Sequence, residues 1–429
     1  MNNKFTILPI LLLSLLLAGY ICSLFSVIKL SSDSFAYIDG AKNLLLHQQY
    51  RYDANADSIT YFPPLYSIVL SLGMWVGGFT ALSIVIVNAI LFCWGVWLTL
   101  QYRSKDFSAP VPYLFFALMV VHTIAQYSGG VFSEVLFIPL FVAWLIMQES
   151  NSSKISALQI AWIACLEILL VSTRYTGILL IASYYLAMLA IDFVKYRRLS
   201  FLWKHNYLFR FVAPVATLFF FIYLRKYIGG GGAQHVFEIG SGKYALWMYP
   251  KQMIEDMASF FVGAPFIILL HKAKGSLVAS ITILTFFLFL FKVKMHPRIG
   301  LFLLFAVCVH VLFLYSVWVD DGLYGRYFLW LYLTVFLTAK VEVRFQQFPA
   351  VTPAIMLLLT VSFLLNSANS YYKGVKLADS PSFSYVVRWS DRLKTGYFNS
   401  YKVQPPSFQI MGNSRWVQSP CYPWNIQRK

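Results

Sequence analysis

Asp33 follows directly on the first long apolar run of the chain, in Ser31-Ser32-Asp33-Ser34-Phe35-Ala36-Tyr37. A carboxylate held at the edge of a bilayer is costly and is by default a functional candidate. Within hydrogen-bond reach of a hydroxyl it can take that proton as a general base. The plainer use of the same residue is to start a helix, because aspartate before an apolar-periodic run is a favoured N-cap, a task Ser31, Ser32 or Ser34 would serve as well. Three more charges stand in comparable places: Glu134 in Ser133-Glu134-Val135-Leu136-Phe137-Ile138-Pro139, Arg174 in Thr173-Arg174-Tyr175-Thr176-Gly177, and Arg326 in Gly325-Arg326-Tyr327. Arginine stabilises an anionic oxygen electrostatically, and at a membrane face it also serves as a snorkelling anchor. Arg326 follows the polar, flexible stretch Asp320-Asp321-Gly322-Leu323-Tyr324-Gly325, which favours the first use. Glu134 has its own plain reading as a helix-start charge favoured by the macrodipole.

The elements that must position these groups are membrane helices. Of the 429 residues 59% are apolar and only 12% charged, and mean hydropathy is +0.65, whereas soluble domains run near half apolar and a quarter charged. A span needs roughly 20 apolar residues. Candidate spans are 5–28, 80–101, 110–127, 131–148, 156–173, 177–194, 208–226, 275–292, 299–318, 326–341 and 349–366. The expected fold is thus all-α and polytopic, with about eleven transmembrane helices and no space for a large soluble catalytic domain. The run 5–28 exceeds a signal-peptide core and lacks an A-x-A site, so it reads as a retained first helix.

The net charge of +17 is spread in short clusters at the ends of apolar runs, which is topology information and not a nucleic-acid face. With the N-terminus cytoplasmic, Arg103/Lys105, Lys195 to Arg198, Lys292/Lys294/Arg298 and Lys340/Arg344 fall inside, and Arg174 and Arg326 fall outside. Two apolar stretches, 64–78 and 258–271, are read as interfacial helices, because counting either as a span would invert every later loop. In the first outer loop, 29–79, Tyr37, Ile38, Ala41, Leu44 and Leu45 recur at helical spacing, which makes 34–47 a second, amphipathic helix. Pro63-Pro64 then forms a stiff elbow into 64–78. The division is a transmembrane domain over 1–366 and a small extracytoplasmic tail over 367–429. Cys22, Cys93, Cys165 and Cys308 lie in apolar runs and Cys421 stands alone, so no disulfide framework or metal pair is built from them. His235, His271 and His310 read as isolated packing or interface residues, and Gly229 to Gly232 as a hinge.

Taken together, these features resemble the GT-C superfamily of membrane glycosyltransferases, which includes protein O-mannosyltransferases and the aminoarabinose transferases acting on lipid A. Asp33, Tyr37, the Ala41–Leu46 run and Pro63-Pro64-Leu65 match that family's early pattern in order and approximate spacing. Glu134 occupies the place of its second-loop acidic residue. Thr173-Arg174-Tyr175-Thr176-Gly177 resembles its basic turn after the fifth helix, and Gly325-Arg326-Tyr327 the Arg-Tyr before a late helix. The match spans roughly the first 340 residues, through short, degenerate motifs.

The resemblance implies an inverting transfer of a sugar from a polyprenyl-phosphate donor to a lipid, glycan or protein acceptor, on the periplasmic side of a bacterial inner membrane. Asp33 would be the general base and Glu134 a second carboxylate. Arg326, Arg174 and Tyr327 would hold the donor phosphate, and Tyr37, Tyr61 and Arg51 would bind substrate. No cofactor is implied: arginine can neutralise a monophosphate leaving group, and no His/Cys/Asp cluster has the spacing of metal ligands. The expected partners are the lipid-linked donor, the acceptor and membrane lipids. One rival is a secondary transporter or flippase, which usually keeps ionisable groups near the midplane. Here helix interiors hold few charges, Glu167 being the main exception. The other, an O-antigen ligase or polymerase, concentrates its arginines and histidine in a large late loop, and the loop before Arg326 is short.

Overall fold

The computed structural model describes residues 27–30, 32–50, 62–78, 81–103, 131–149, 156–197, 207–228, 248–251, 253–255, 281, 291–294, 296–316, 328–338, 340–343, 361 and 385–388. Within them the chain is helical: α1 Ser32–His47, α2 Leu65–Gly77, α3 Ala81–Arg103, α4 Glu134–Glu149, α5 Ala157–Thr173, α6 Thr176–Tyr196, α7 Tyr207–Ile228, α8 Pro297–Ser316 and α9 Leu329–Thr338. The segments Ser83–Tyr102, Thr176–Lys195 and Pro297–Leu314 are long and apolar enough to cross a membrane. The expected span 110–127, nearly all of 5–28, 275–292 and 349–366, and the interfacial stretch 258–271 lie outside the described residues.

The helical reading is extended by two short antiparallel ribbons. In the first, β1 Val27–Leu30 pairs with β4 Tyr385–Arg388, Leu30 opposite Tyr385. In the second, β2 Phe291–Lys294 pairs with β3 Lys340–Val343, Lys292 opposite Glu342. The ribbons cut into the ends of three expected spans, 5–28, 275–292 and 326–341, where β-branched residues meet a partner strand that the local pattern cannot reveal. Each ribbon joins segments that the Lys/Arg distribution assigns to one side of the membrane.

Both helices expected in the first loop are present. α1 buries Tyr37, Ile38 and Ala41, as the periodicity requires, and it also buries Asp39 and Asn43, which amphipathicity alone places on the wet face. It ends where Gln48 takes a φ of 54° and the Gln48 N–H donates to the Leu44 carbonyl at 3.1 Å. α2 starts at the elbow, with the Pro64 carbonyl accepting from Ile68 N–H at 2.9 Å. Gly40 lies against both α2 and the segment after α1: a Cβ there would stand 3.0 Å from Ser67 Oγ and 2.4 Å from a Tyr50 ring carbon. Ser67 Oγ on α2 donates to the Tyr37 carbonyl at 2.9 Å, and Tyr66 OH donates to Asn88 Oδ1 on α3 at 2.7 Å. Burial pushes the Tyr50 phenol well above its ordinary range.

The core is centred on α4, whose residues from Glu134 to Val142 are all buried. A helix apolar all round must be enclosed, and α4 packs on α3, α5 and α9. α5 opens with a capping box, Ser156 and Gln159 each accepting from the other's backbone N–H. It then packs against α7, while α6 packs against α8. Glu167, fully buried on α5, accepts from Trp144 Nε1 on α4 at 3.2 Å and from Thr217 Oγ1 on α7 at 3.3 Å. At the other end of α6, Asp192 faces Arg298 of α8 at 3.6 Å.

Candidate active site

Three chain segments meet at the N-terminal end of α4. The first is the opening turn of α1, where Ser34 Oγ donates to the Val131 carbonyl at 2.9 Å. The second is the turn into α4, whose Ser133 carbonyl accepts from Phe137 N–H at 2.9 Å. The third is the bend between α5 and α6. There Arg174 leaves the helix in an extended conformation, with φ of −149° and ψ of 132°, and its carbonyl accepts from Gly177 N–H at 2.9 Å. Gly177 permits the bend, since a Cβ at that position would lie 3.1 Å from the backbone carbonyl of Leu170.

The side chains at this junction form one polar chain. Tyr37 OH donates to Ser133 Oγ at 2.9 Å, and Arg174 Nη1 donates to the same oxygen at 3.3 Å. Arg174 Nη1 also makes a direct ion pair with Glu134 Oε1 at 2.5 Å, the arginine side chain 18% exposed and the carboxylate 3%. Glu134 sits in the first turn of α4, where the helix dipole favours a negative charge. Taking two charges out of water is repaid only by close contact and further hydrogen bonds. Here the short ion pair and the bridge through Ser133 supply both.

Beside the ion pair is a narrow cleft, about 270 Å³ of non-atom space when its part open to solvent is counted. Glu134 and Phe137 form its α4 wall, and Arg174 and Thr176 its hairpin wall. The far side is His310 of α8 and Leu329 and Trp330 of α9. His310 and Trp330 meet edge to face, with ring centroids 5.5 Å apart. The cleft therefore has an ionic end and an aromatic end. Among the described residues no group of three His, Cys, Asp or Glu side chains is disposed to hold a metal ion.

Of the residues expected at the site, Glu134, Arg174 and Tyr37 are brought into this one network. Glu134 and Arg174, to which the resemblance gives separate roles, form a single ion pair. Tyr37 is buried, its hydroxyl engaged by Ser133 and its ring packed against Phe62 and Tyr66, centroids 5.1 Å away in each case. Asp33 lies in the first turn of α1, one residue inside its start at Ser32 and next to the anchored Ser34. Its side chain, with Arg51, Tyr61, Arg326 and Tyr327, lies outside the described residues. Sequence reasoning passed over Ser133, Trp330 and the place of His310. Only Ser133 had a local signal, its adjacency to Glu134.

The chain is similar in structure to ArnT from Cupriavidus metallidurans. Against the apo form the identity is 12% and the TM-score 0.51, with 84% of this chain and 60% of that one covered. Against the form bound to undecaprenyl phosphate the values are 11% and 0.50, with 86% and 63% covered. The chain thus spans somewhat over three fifths of the length of these relatives. No family model and no curated protein matches the sequence. The fold is therefore that of ArnT, in keeping with the resemblance in the sequence, and three of its described helices are long and apolar enough to cross a membrane.

Proposed function

We propose that this chain is a glycosyltransferase of the GT-C type, moving a sugar from a polyprenyl-phosphate donor to an envelope lipid, glycan or protein at the outer face of the inner membrane. The observation that carries this reading is the Arg174–Glu134 pair on the wall of a cleft, tied through Ser133 and Tyr37 to the helix that bears Asp33. The ArnT fold supports it, and one of the two ArnT structures holds undecaprenyl phosphate.

In this reaction an acceptor hydroxyl attacks the anomeric carbon as the bond from that carbon to the phosphate oxygen breaks. The configuration inverts, and the acceptor proton passes to Asp33 as general base. The leaving lipid phosphate gains negative charge, which a guanidinium meets with charge-assisted hydrogen bonds. Arg174 supplies that group from the α5–α6 bend. Arg326 with Tyr327 supplies a second, a few positions before Leu329 and Trp330 on the cleft wall. Glu134 orients Arg174 and is the second carboxylate, and Arg51 and Tyr61 contact substrate. In this reading the chain has about eleven spans, a transmembrane unit over 1–366 and an outer tail over 367–429. The ribbons support that topology, since β1–β4 joins the first outer loop to the tail.

The test is Asp33→Asn in membranes, assayed with radiolabelled polyprenyl-phosphate sugars. Loss of a general base lowers transfer by about 10²- to 10⁴-fold. Full retained transfer removes Asp33 from the role, and no transfer by the unaltered protein from any donor removes the transferase reading.

A further inference from the structure

The aromatic end of the cleft carries an inference that rests on the reading just given. Trp330 is 3% exposed, and its Nε1 has no hydrogen-bond partner among the described residues. Buried donors are nearly always satisfied in native structures, because leaving one unmade costs its full desolvation. An indole N–H without a partner among the described residues, on a side chain that lines the cleft, is therefore available to a ligand.

The two ends of the cleft suit different parts of one substrate. An anion is met by Arg174, since charge-assisted bonds to guanidinium are the stronger kind. Neutral N–H donors among aromatic rings do little for a phosphate. They suit a hydroxylated ring, which offers oxygens to an N–H and C–H faces to indole, imidazole and phenyl. His310 and Phe137 border the same space, and the edge-to-face contact of His310 with Trp330, together with that of Phe328 with His310 at 5.8 Å, fixes these rings.

We propose that Trp330 is a specificity-determining residue whose indole N–H donates to an oxygen of the transferred sugar, with His310 and Phe137 forming the surrounding wall. The lipid phosphate stays at the Arg174 end of the cleft.

The test compares binding by the full-length protein, in detergent or nanodiscs, of undecaprenyl phosphate and of polyprenyl phosphates carrying hexoses or pentoses. The unaltered protein is expected to bind at least one sugar-carrying lipid about tenfold more tightly than undecaprenyl phosphate, the worth of roughly one hydrogen bond. Trp330→Phe keeps an aromatic ring and deletes the N–H. It should lose that tenfold increment and leave affinity for undecaprenyl phosphate unchanged, whereas Arg174→Gln should weaken both lipids. If the phenylalanine variant fails to fold, replacement of Trp330 by benzothienylalanine, which retains the bicyclic shape without the N–H, gives the same comparison. The proposal is overturned if the increment survives in the variant, if the unaltered protein shows none, or if undecaprenyl phosphate binding falls with it. Absence of sugar transfer beside an intact, Trp330-dependent increment would instead remove the transferase reading alone.

Discussion

Breaking the Arg174–Glu134 pair should be far more costly than breaking the neutral bond beside it. The carboxylate is 3% exposed and the arginine side chain 18%, so neither has the water shell that reduces surface ion pairs to about 0–1 kcal/mol. Removing one partner of a buried pair strands the other charge, at about 3–5 kcal/mol. Arg174 keeps some solvent, so for Glu134→Gln, which strands the arginine, we expect the low end, about 3 kcal/mol, and for Arg174→Met, which strands the more deeply buried carboxylate, at least as much. Removing both charges, in Arg174→Met with Glu134→Gln, strands nothing. The double variant should therefore be less damaged than the sum of the singles, with a coupling of about 2 kcal/mol. Tyr37→Phe provides the internal standard. It deletes the neutral hydrogen bond to Ser133, and such bonds average about 0.6 kcal/mol in membrane proteins. Reversible unfolding in mixed SDS micelles measures all four proteins and the parent on one scale. A coupling below about 0.5 kcal/mol, within the ordinary scatter of additivity, would refute the reasoning. So would an Arg174→Met loss no greater than that of Tyr37→Phe.

Two glycines give further outcomes. Gly177→Ala puts a Cβ 3.1 Å from the Leu170 carbonyl; since backbone cannot swing aside, we expect about 1–3 kcal/mol of destabilisation, read in the same unfolding assay, with weaker binding of undecaprenyl phosphate as Arg174 shifts. Gly40→Ala meets the Tyr50 ring at 2.4 Å and should cost a similar amount, about 1–3 kcal/mol, part of which Tyr50→Ala in the same chain restores. A Gly40→Ala protein as stable as the parent would show that Tyr50 is not held against α1 at that approach.

What the sequence discloses is what local pattern can encode. The apolar runs from Ala81, Ala157 and Thr176 become helices within a few residues of their expected bounds, because hydropathy and capping act over a turn or two. The helix over 34–47 and the Pro63-Pro64 elbow are legible for the same reason. The ribbons are not, because β1 finds its partner in the far tail and no alternation within four residues announces it. The site is only half legible. Charge asymmetry puts Glu134 and Arg174 on the same side but does not say that they touch, since their meeting depends on the α5–α6 bend closing over Leu170. His310 reads as packing because one histidine in an apolar helix says nothing about what faces it. That Trp330 Nε1 finds no partner among the described residues emerges only once the helices have assembled.

The β1–β4 ribbon has a consequence for how the protein is made. Leu30 leaves the ribosome 355 residues (385 − 30) ahead of its partner Tyr385. At about 5–20 residues per second, the first strand waits on the order of 20–70 s before its partner exists. During that interval its backbone N–H and C=O groups form an open edge, the kind that recruits foreign strands. Chains stalled before residue 385 should therefore be those most prone to wrong pairing at Val27–Leu30.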